Sequence, residues 1–559
     1  MNKIRFYTCF FLLIFQALLA DELKPDLTVM VPMRDGVVLP TDLYLPTPES
    51  RGLPCILLRS PAGRDAAWKT FAEMAKEGYV VAVQDARNVL DPEGKTFPFL
   101  SDGWGKLQDG YDTVEWLASS PYTNGKIGTW GSSALGITQL LMAPSRPPHL
   151  VCQYIIVAAG SLYHHGIFPG GVLLKHQAES WLGYYARDTG VLNYVCQRPF
   201  YNDFWKQLNS LEVADRVAVP AMHVGGWYDT FLQGTLDAFM ARQEEGGEGA
   251  RGRQKLVVGP WTHFWPVSKQ FGDFEMPVAG ENPPIDISPK RWFDYFLKGE
   301  GNGAEQLPAV LYYVMGPFDG SSSSGNVWRT ADVWPVPSVS TPFYLTPHKS
   351  LQSKVPFTGL LSYHYDPRTP ITTMGGRNLF LGSGPMDQQS IEKGEDILVF
   401  TTDPLQEDIE VTGHLSAKLF FASDQKDSDI VVRLCDVYPD GRSILISEGG
   451  YRLGVMCYQS DAQAEFQPNE PIEVDINLWS TSIVFAKGHS IRVSVSSSNY
   501  PRYEKNMNVG LKGGLSGKFK VAKNTIYMGE RYPSKLVLPI VRKGQEWLSL
   551  ESPTVGKSL

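Results

Sequence analysis

Three residues of this chain have the types and the order for nucleophilic acyl transfer: Ser133, Asp229 and His263. A serine hydroxyl is a weak nucleophile until a base takes its proton, and that base needs an acid to orient it. Ser133 lies in Gly128-Thr129-Trp130-Gly131-Ser132-Ser133-Ala134-Leu135-Gly136, with a β-type run (126–130) before it and a helical run (134–143) after it. At a sharp strand-to-helix turn a serine exposes its hydroxyl, and neighbouring N–H groups point at the same spot. Gly131 and Gly136 flank Ser133 where side chains would crowd such a turn, which favours Ser133 over Ser132 as the nucleophile. A glycine-rich turn with incidental serines has the same composition, so the motif needs its partners.

The partners follow in the chain. Val217-Ala-Val-Pro-Ala-Met-His-Val224 is a buried-strand pattern leading through Gly225-Gly226-Trp227-Tyr228 to Asp229. Lys255-Leu-Val-Val-Gly-Pro260 is another, leading through Trp261-Thr262 to His263. Both residues fall just past the end of an apolar run, where catalytic groups gather in an open parallel sheet. Serine, then acid, then histidine is the α/β-hydrolase order. Asp229 alone reads equally well as a helix cap, and His263 alone as a loop histidine. Three residues in order, each at a strand end, make coincidence a poor account.

Further ordered motifs carry a family resemblance. They are Gln84-Asp85-Ala86-Arg87, Asp109-Gly110-Tyr111-Asp112 with Glu115-Trp116-Leu117, Asn124-Gly125-Lys126-Ile127-Gly128, and the stretches ending at Asp229 and His263. Tyr365-Asp366-Pro367, Gly375-Gly376, Gly384-Pro385 with Asp387-Gln388, and Asp436-Val437-Tyr438-Pro439-Asp440-Gly441 follow. With these the chain resembles the CocE/NonD family of serine hydrolases, which includes cocaine esterase, α-amino-acid ester hydrolases and X-Pro dipeptidyl-peptidases. The resemblance spans nearly the whole chain after its first twenty residues. It implies an acyl hydrolase with Ser133, Asp229 and His263 as its triad.

Two positions depart from the family pattern. Where the family has Arg, one residue, Pro and an oxyanion-binding Tyr, this chain has Arg59-Ser60-Pro61-Ala62. The residue after the nucleophile, often tyrosine, is Ala134, which still offers its backbone N–H to the oxyanion. Losing one oxyanion donor typically lowers the rate by about 10²–10³. A working site then needs a substitute at the hole: the N–H of Ala62 or Gly63, or the guanidinium of Arg64.

The elements that must position these groups fall into two textures. Up to about residue 333, strand-like and helical runs alternate: an antiparallel opening over Asp26 to Leu58, helices at Thr70–Glu77 and Gly110–Ser119, and a strand at Tyr79–Gln84. That alternation predicts a mainly parallel sheet covered on both faces. From about Trp334, short alternating strands separated by Gly, Pro, Asp and Asn predict a β-sandwich. Within the first part, residues 161–215 break the rhythm with aromatics, histidines and helical stretches. The expected fold class is α/β: an α/β-hydrolase domain (21–160 and 216–333) with an inserted helical cap (161–215), followed by a jelly-roll β-sandwich (334–559). The cap and the jelly roll are what the resemblance implies. Cap aromatics Tyr163, Phe168, Trp181, Tyr184 and Tyr185 are candidates for an acyl site, and cap packing accounts for them equally well.

At 559 residues the chain holds more than one domain, and 43% hydrophobic with 20% charged residues is ordinary for a globular protein. A net charge of −8 without basic blocks argues against nucleic acid as a partner. Met1–Arg5 is basic, Phe6 to Leu19 is apolar, and Ala20 meets Asp21-Glu22, the layout of a secretory signal over residues 1–20. The apolar run is short for a membrane span. The expected location is secreted or periplasmic without stable membrane insertion, an uncleaved anchor being the rival. Cysteines stand at 9, 55, 152, 196, 435 and 457, and removing Cys9 leaves an odd number. Cys435 and Cys457 could meet on neighbouring strands. No spacing resembles a zinc site, and the adjacent His164-His165 seldom converge on one ion. No metal and no cofactor are expected.

The function these residues predict is cleavage of a small-molecule carboxylic ester, or an amide, through an acyl-enzyme on Ser133. Family members acting on α-amino esters carry carboxylates just after the catalytic aspartate, whereas here Thr230-Phe231-Leu232 follow. An uncharged or hydrophobic acyl group therefore fits better than an amino-acyl one. Two alternatives remain at this point: an X-Pro-type dipeptidyl-peptidase, and a non-catalytic binding protein with a degraded oxyanion hole.

Overall fold

The computed structural model describes residues 24–64, 69–90, 96–188, 190–265, 269–459, 467–510, 517–542 and 549–550. The signal reading of Met1–Ala20, Cys9, and the side chain of Cys457 lie outside the described residues. Cys55, Cys152, Cys196 and Cys435 are free thiols.

An eleven-stranded sheet carries the first part of the chain. Its strands are β1 (Leu27–Pro32), β2 (Val38–Tyr44), β3 (Leu53–Ser60), β4 (Val80–Asp85), β5 (Thr123–Ser132), β6 (Leu150–Ile156), β7 (Ala221–Tyr228), β8 (Lys255–Thr262), β9 (Val310–Val314) and β10 (Val327–Ala331). The order across the sheet is β1-β2-β4-β3-β5-β6-β7-β8-β9-β10, closed by Ser549–Leu550. The six strands from β3 to β9, together with β4, run parallel, while β1, β2 and β10 are antiparallel. The antiparallel opening thus ends at β2, because Leu53–Ser60 crosses over to lie parallel to both β4 and β5. Ser549–Leu550 pairs with β10, so the chain returns to this sheet after the sandwich.

Strands buried on both faces read as continuous apolar runs, as Val80 to Val83 do here, each no more than 1% exposed. The helices α1 (Asp109–Ser119), α2 (Ala134–Met142) and α3 (Leu232–Glu245) pack on the sheet. Between β6 and β7 the predicted helical region is present but finely divided. Lys175–Gln177, Ala178–Leu182 and Gly183–Ala186 make one run interrupted by a π-type turn. Val191–Cys196 and Asp203–Lys206 follow.

The second part forms antiparallel sheets of seven and four strands, with long strands at Ile409–Ser423 and Ile472–Phe485. It docks on the first part through polar as well as apolar contacts. The Tyr228 hydroxyl donates to Leu445 O at 2.9 Å. Gln233 Oε1, one turn past Asp229, accepts from both the N–H and the hydroxyl of Ser480 at 3.0 Å. One apolar cluster runs from Ile56 and Val224 through Trp334 to Phe421 and Ile491, joining both parts. Among the described residues, no helix is long and apolar enough to cross a membrane.

Candidate active site

Ser133 occupies the turn between β5 and α2 with φ 57° and ψ −123°, a conformation costly for a residue with a side chain. The surroundings permit it only because two neighbours are glycine. A Cβ on Gly131 would sit 2.4 Å from Leu135 Cβ, and one on Gly136 would sit 2.7 Å from Ala158 Cβ. Ser133 N–H donates to Ile156 O at 2.9 Å, tying the turn to β6. Behind the turn, Gln139 of α2 accepts from the Thr129 hydroxyl at 2.8 Å. Its amide donates to Leu135 O at 3.1 Å and Gly131 O at 3.3 Å. One side chain thereby ties together carbonyls two residues before and two residues after Ser133.

The structure brings Asp229 and His263 to this serine. Each is the first residue after its parallel strand, β7 and β8. Ser133 Oγ donates to His263 Nε2 at 3.0 Å, and His263 Nδ1 donates to Asp229 Oδ1 at 2.5 Å. A carboxylate oxygen only accepts, so Nδ1 is the donor in this pair and Nε2 is left to accept from Ser133. Asp229 is fully buried, and its second oxygen accepts from Phe231 N–H at 3.1 Å, which fixes the carboxylate.

The oxyanion side is more sparing. Ala134 is the first residue of α2, so its N–H has no acceptor within the helix. Of the three substitutes for the missing tyrosine hydroxyl, two are engaged elsewhere. Gly63 N–H donates to Ser60 O at 3.3 Å. Arg64 Nη1 lies 2.6 Å from Asp85 Oδ2, and Nε 3.1 Å from Asp42 Oδ2. The Ala62 N–H remains.

Aromatic rings wall the site. His263 contacts Phe231 at a centroid distance of 5.5 Å, Phe231 contacts Trp181 of the cap at 5.4 Å, and Trp181 stacks on Phe99 at 6.0 Å. Tyr185 packs edge-on to Trp181 at 5.6 Å. Of the five cap aromatics, Trp181 and Tyr185 belong to this wall. Tyr163 and Phe168 pack on Trp205 inside the cap, and Tyr184 is 52% exposed. On the other side of His263, Phe264 reaches Phe380 of the sandwich at 6.2 Å. Sequence reasoning missed Phe99, Phe264, Phe380 and Gln139. Only the last had a local signal, lying two turns into the helix after the serine. Thr230, Phe231 and Leu232 are fully buried, and the Thr230 hydroxyl donates to Gln177 Oε1 at 2.6 Å.

The histidine pair does not converge. His164 Nδ1 meets the Ser161 hydroxyl at 2.9 Å, whereas His165 Nε2 meets Asp237 at 3.0 Å. Among the described residues, no group of three His, Cys, Asp or Glu has the geometry to hold a metal ion.

The chain is similar along most of its length to proteins of known family. Residues 35–189 and 174–265 match X-Pro dipeptidyl-peptidase (S15 family), and residues 302–537 match the X-Pro dipeptidyl-peptidase C-terminal non-catalytic domain. Cocaine esterase of Rhodococcus sp. (strain MB1 Bresler) is 31% identical over 589 aligned positions, which cover 92% of this chain and 98% of that enzyme. Two solved structures share the fold at lower identity. An aminopeptidase from a marine sediment archaeon, Thaumarchaeota archaeon, superposes with a TM-score of 0.77 at 21% identity, covering 92% of this chain and 96% of that one. An α-amino acid ester hydrolase superposes with a TM-score of 0.74 at 22% identity, covering 93% and 98%. With cocaine esterase matched over almost its full length, the chain belongs to the CocE/NonD family of serine hydrolases.

Proposed function

We propose that this hydrolase cleaves carboxylic esters of uncharged or hydrophobic acids through an acyl-enzyme on Ser133. The observation that carries the reading is the unbroken chain from Ser133 Oγ to His263 Nε2 and from His263 Nδ1 to Asp229. Ser133 Oγ attacks the ester carbonyl carbon while its proton passes to His263 Nε2. The ester C–O bond then breaks, and the imidazolium returns that proton to the leaving alcohol. Water, deprotonated by the same nitrogen, attacks the acyl-enzyme, releases the acid and restores Ser133. The N–H groups of Ala134 and Ala62 receive the oxyanion in each half-reaction.

The acyl preference is supported by what lines the site. Phe231 and Phe264 pack against the His263 ring, with Trp181 behind Phe231, and Thr230, Phe231 and Leu232 offer no carboxylate to an ammonium group. Residues 161–215 act as the cap over this wall. The basic start and apolar run of Met1–Ala20 support export by a cleaved signal.

The reading is tested by comparing p-nitrophenyl butyrate with an alanyl-prolyl p-nitroanilide bearing a free amine. Ester turnover that is indifferent to an added amine supports it. Preferential turnover of the dipeptide anilide replaces it with the X-Pro peptidase reading.

A further inference from the structure

α2, whose first turn faces the oxyanion, has an unpaired charge at its opposite end. Arg242 of α3 is 2% exposed. Its Nη1 donates to Gln153 Oε1 at 2.8 Å, and its Nη2 to Leu140 O in the last turn of α2 at 3.3 Å. Both acceptors are neutral, and among the described residues no carboxylate pairs with it. Burial alone pulls its pKa down to about 9. Beside it His223 stays neutral, pushed down to about 3 by burial and by the Arg242 charge.

The other deeply buried arginines differ. Arg59 pairs with Asp102, Arg502 with Glu448, and both Arg377 and Arg433 lie in the field of Glu448. An isolated buried charge destabilises a fold, and a neutral side chain in its place is often harmless or stabilising. Packing therefore does not account for arginine at this position.

Its connections lead to the nucleophile. Gln153 Nε2 donates to the Thr129 hydroxyl at 3.2 Å and to Gln139 O at 3.1 Å. Thr129 donates to Gln139 Oε1, and Gln139 holds the carbonyls on both sides of Ser133. Leu140 lies six residues from Ala134, about 9 Å along the helix axis.

We propose that Arg242 is a positioning residue for acyl transfer, a buried charge at the last turn of α2 that favours negative charge on the oxyanion at the other end. The proposal rests on the Ser133 reading above. It gives this chain a compensation at a hole where Ala62 offers no side-chain donor. The developing positive charge on His263 is paired with the buried Asp229 carboxylate, so the field acts mainly on the oxyanion. A unit charge at this range in a partly polarisable interior alters a rate by roughly three- to tenfold.

The test uses the full chain as wild type, Arg242→Gln and Arg242→Lys. It measures kcat and KM on p-nitrophenyl butyrate, the rate of fluorophosphonate labelling, and thermal stability. Arg242→Gln is expected to lower kcat and the labelling rate about three- to tenfold, with KM within twofold and the melting temperature unchanged or higher. Arg242→Lys, which keeps the charge, is expected to retain most of the activity. Arg242→Met, which also removes the charge but fills the space with an apolar chain, is expected to lower kcat by the same factor without lowering stability, which covers the case of Arg242→Gln failing to fold. Unchanged kcat in both neutralising variants overturns the proposal, as does an equal loss of kcat in Arg242→Lys and Arg242→Gln. A wild-type chain inert to both reagents contradicts the Ser133 reading itself.

Discussion

Arg64 Nη1 lies 2.6 Å from Asp85 Oδ2, so the cation next to the oxyanion loop is committed to a carboxylate at the end of the neighbouring strand. The same aspartate accepts from Arg64 N–H, and Asp42 takes Arg64 Nε. The end of the loop 61–64 is therefore held by charge pairs, and Ala62 has no side-chain donor to offer. Ala62→Tyr supplies the hydroxyl that the family resemblance implies at this position. It is expected to raise kcat on p-nitrophenyl esters by at least about tenfold, part of the 10²–10³ that one oxyanion donor typically supplies. Steady-state kinetics checks this, and an unchanged kcat would show that the hole is already fully furnished.

Asp229→Asn should leave the fold intact and lower kcat by about 10⁴. The amide fits the same space but no longer fixes the proton on His263 Nδ1, so Nε2 ceases to be a dependable base. Circular dichroism and ester kinetics on the same sample check both halves. A loss of less than tenfold would remove Asp229 from the role proposed for it.

Gln139→Leu strips the Gly131 and Leu135 carbonyls of their common donor. It also takes away the acceptor of the buried Thr129 hydroxyl, at a cost of about 1–3 kcal/mol, so the melting temperature should fall. Because those carbonyls bracket Ser133, fluorophosphonate labelling should slow as well. A destabilised variant labelled at the wild-type rate would make Gln139 a fold residue only.

Asp427 supplies a prediction in the sandwich. It is 3% exposed, and burial lifts its carboxyl to about 6 from an ordinary 3.8, with the Arg452 charge opposing this only in part. Between about pH 4 and 6 the folded chain thus holds a proton that the unfolded chain has released. Stability contributed by this group falls as pH rises through that window, by up to about 3 kcal/mol. Asp427→Asn keeps an oxygen for Gly454 N–H, which donates to it at 2.9 Å. The variant should match wild type in thermal melts at pH 4 and exceed it at pH 8. An equal difference at the two pH values would contradict this account.

The meeting of Ser133, His263 and Asp229 was legible because each sits at the end of an apolar run and the three keep the α/β-hydrolase order. Strand limits were less so. The buried-strand pattern spans 217–224, whereas β7 runs over Ala221–Tyr228. Gly226 is there because a Cβ would meet Trp261 O at 2.2 Å, a close approach between strands that composition does not reveal. The cap was visible as a break in rhythm, but its division into short α and π-type turns was not, since packing on Phe99 and Phe231 overrides the periodicity of 172–187. Phe380 beside Phe264, and Arg242 without a carboxylate, depend on contacts more than one hundred residues apart in the first case and on a missing partner in the second. Neither leaves a local signal.

The central claim is that Ser133 is an activated nucleophile. Stoichiometric labelling by a fluorophosphonate, read by intact mass on the wild-type chain and on Ser133→Ala, tests it most directly. One phosphonyl group per wild-type chain and none on Ser133→Ala is the predicted result. A folded wild-type chain that takes no label, or a label that persists in Ser133→Ala, would contradict it.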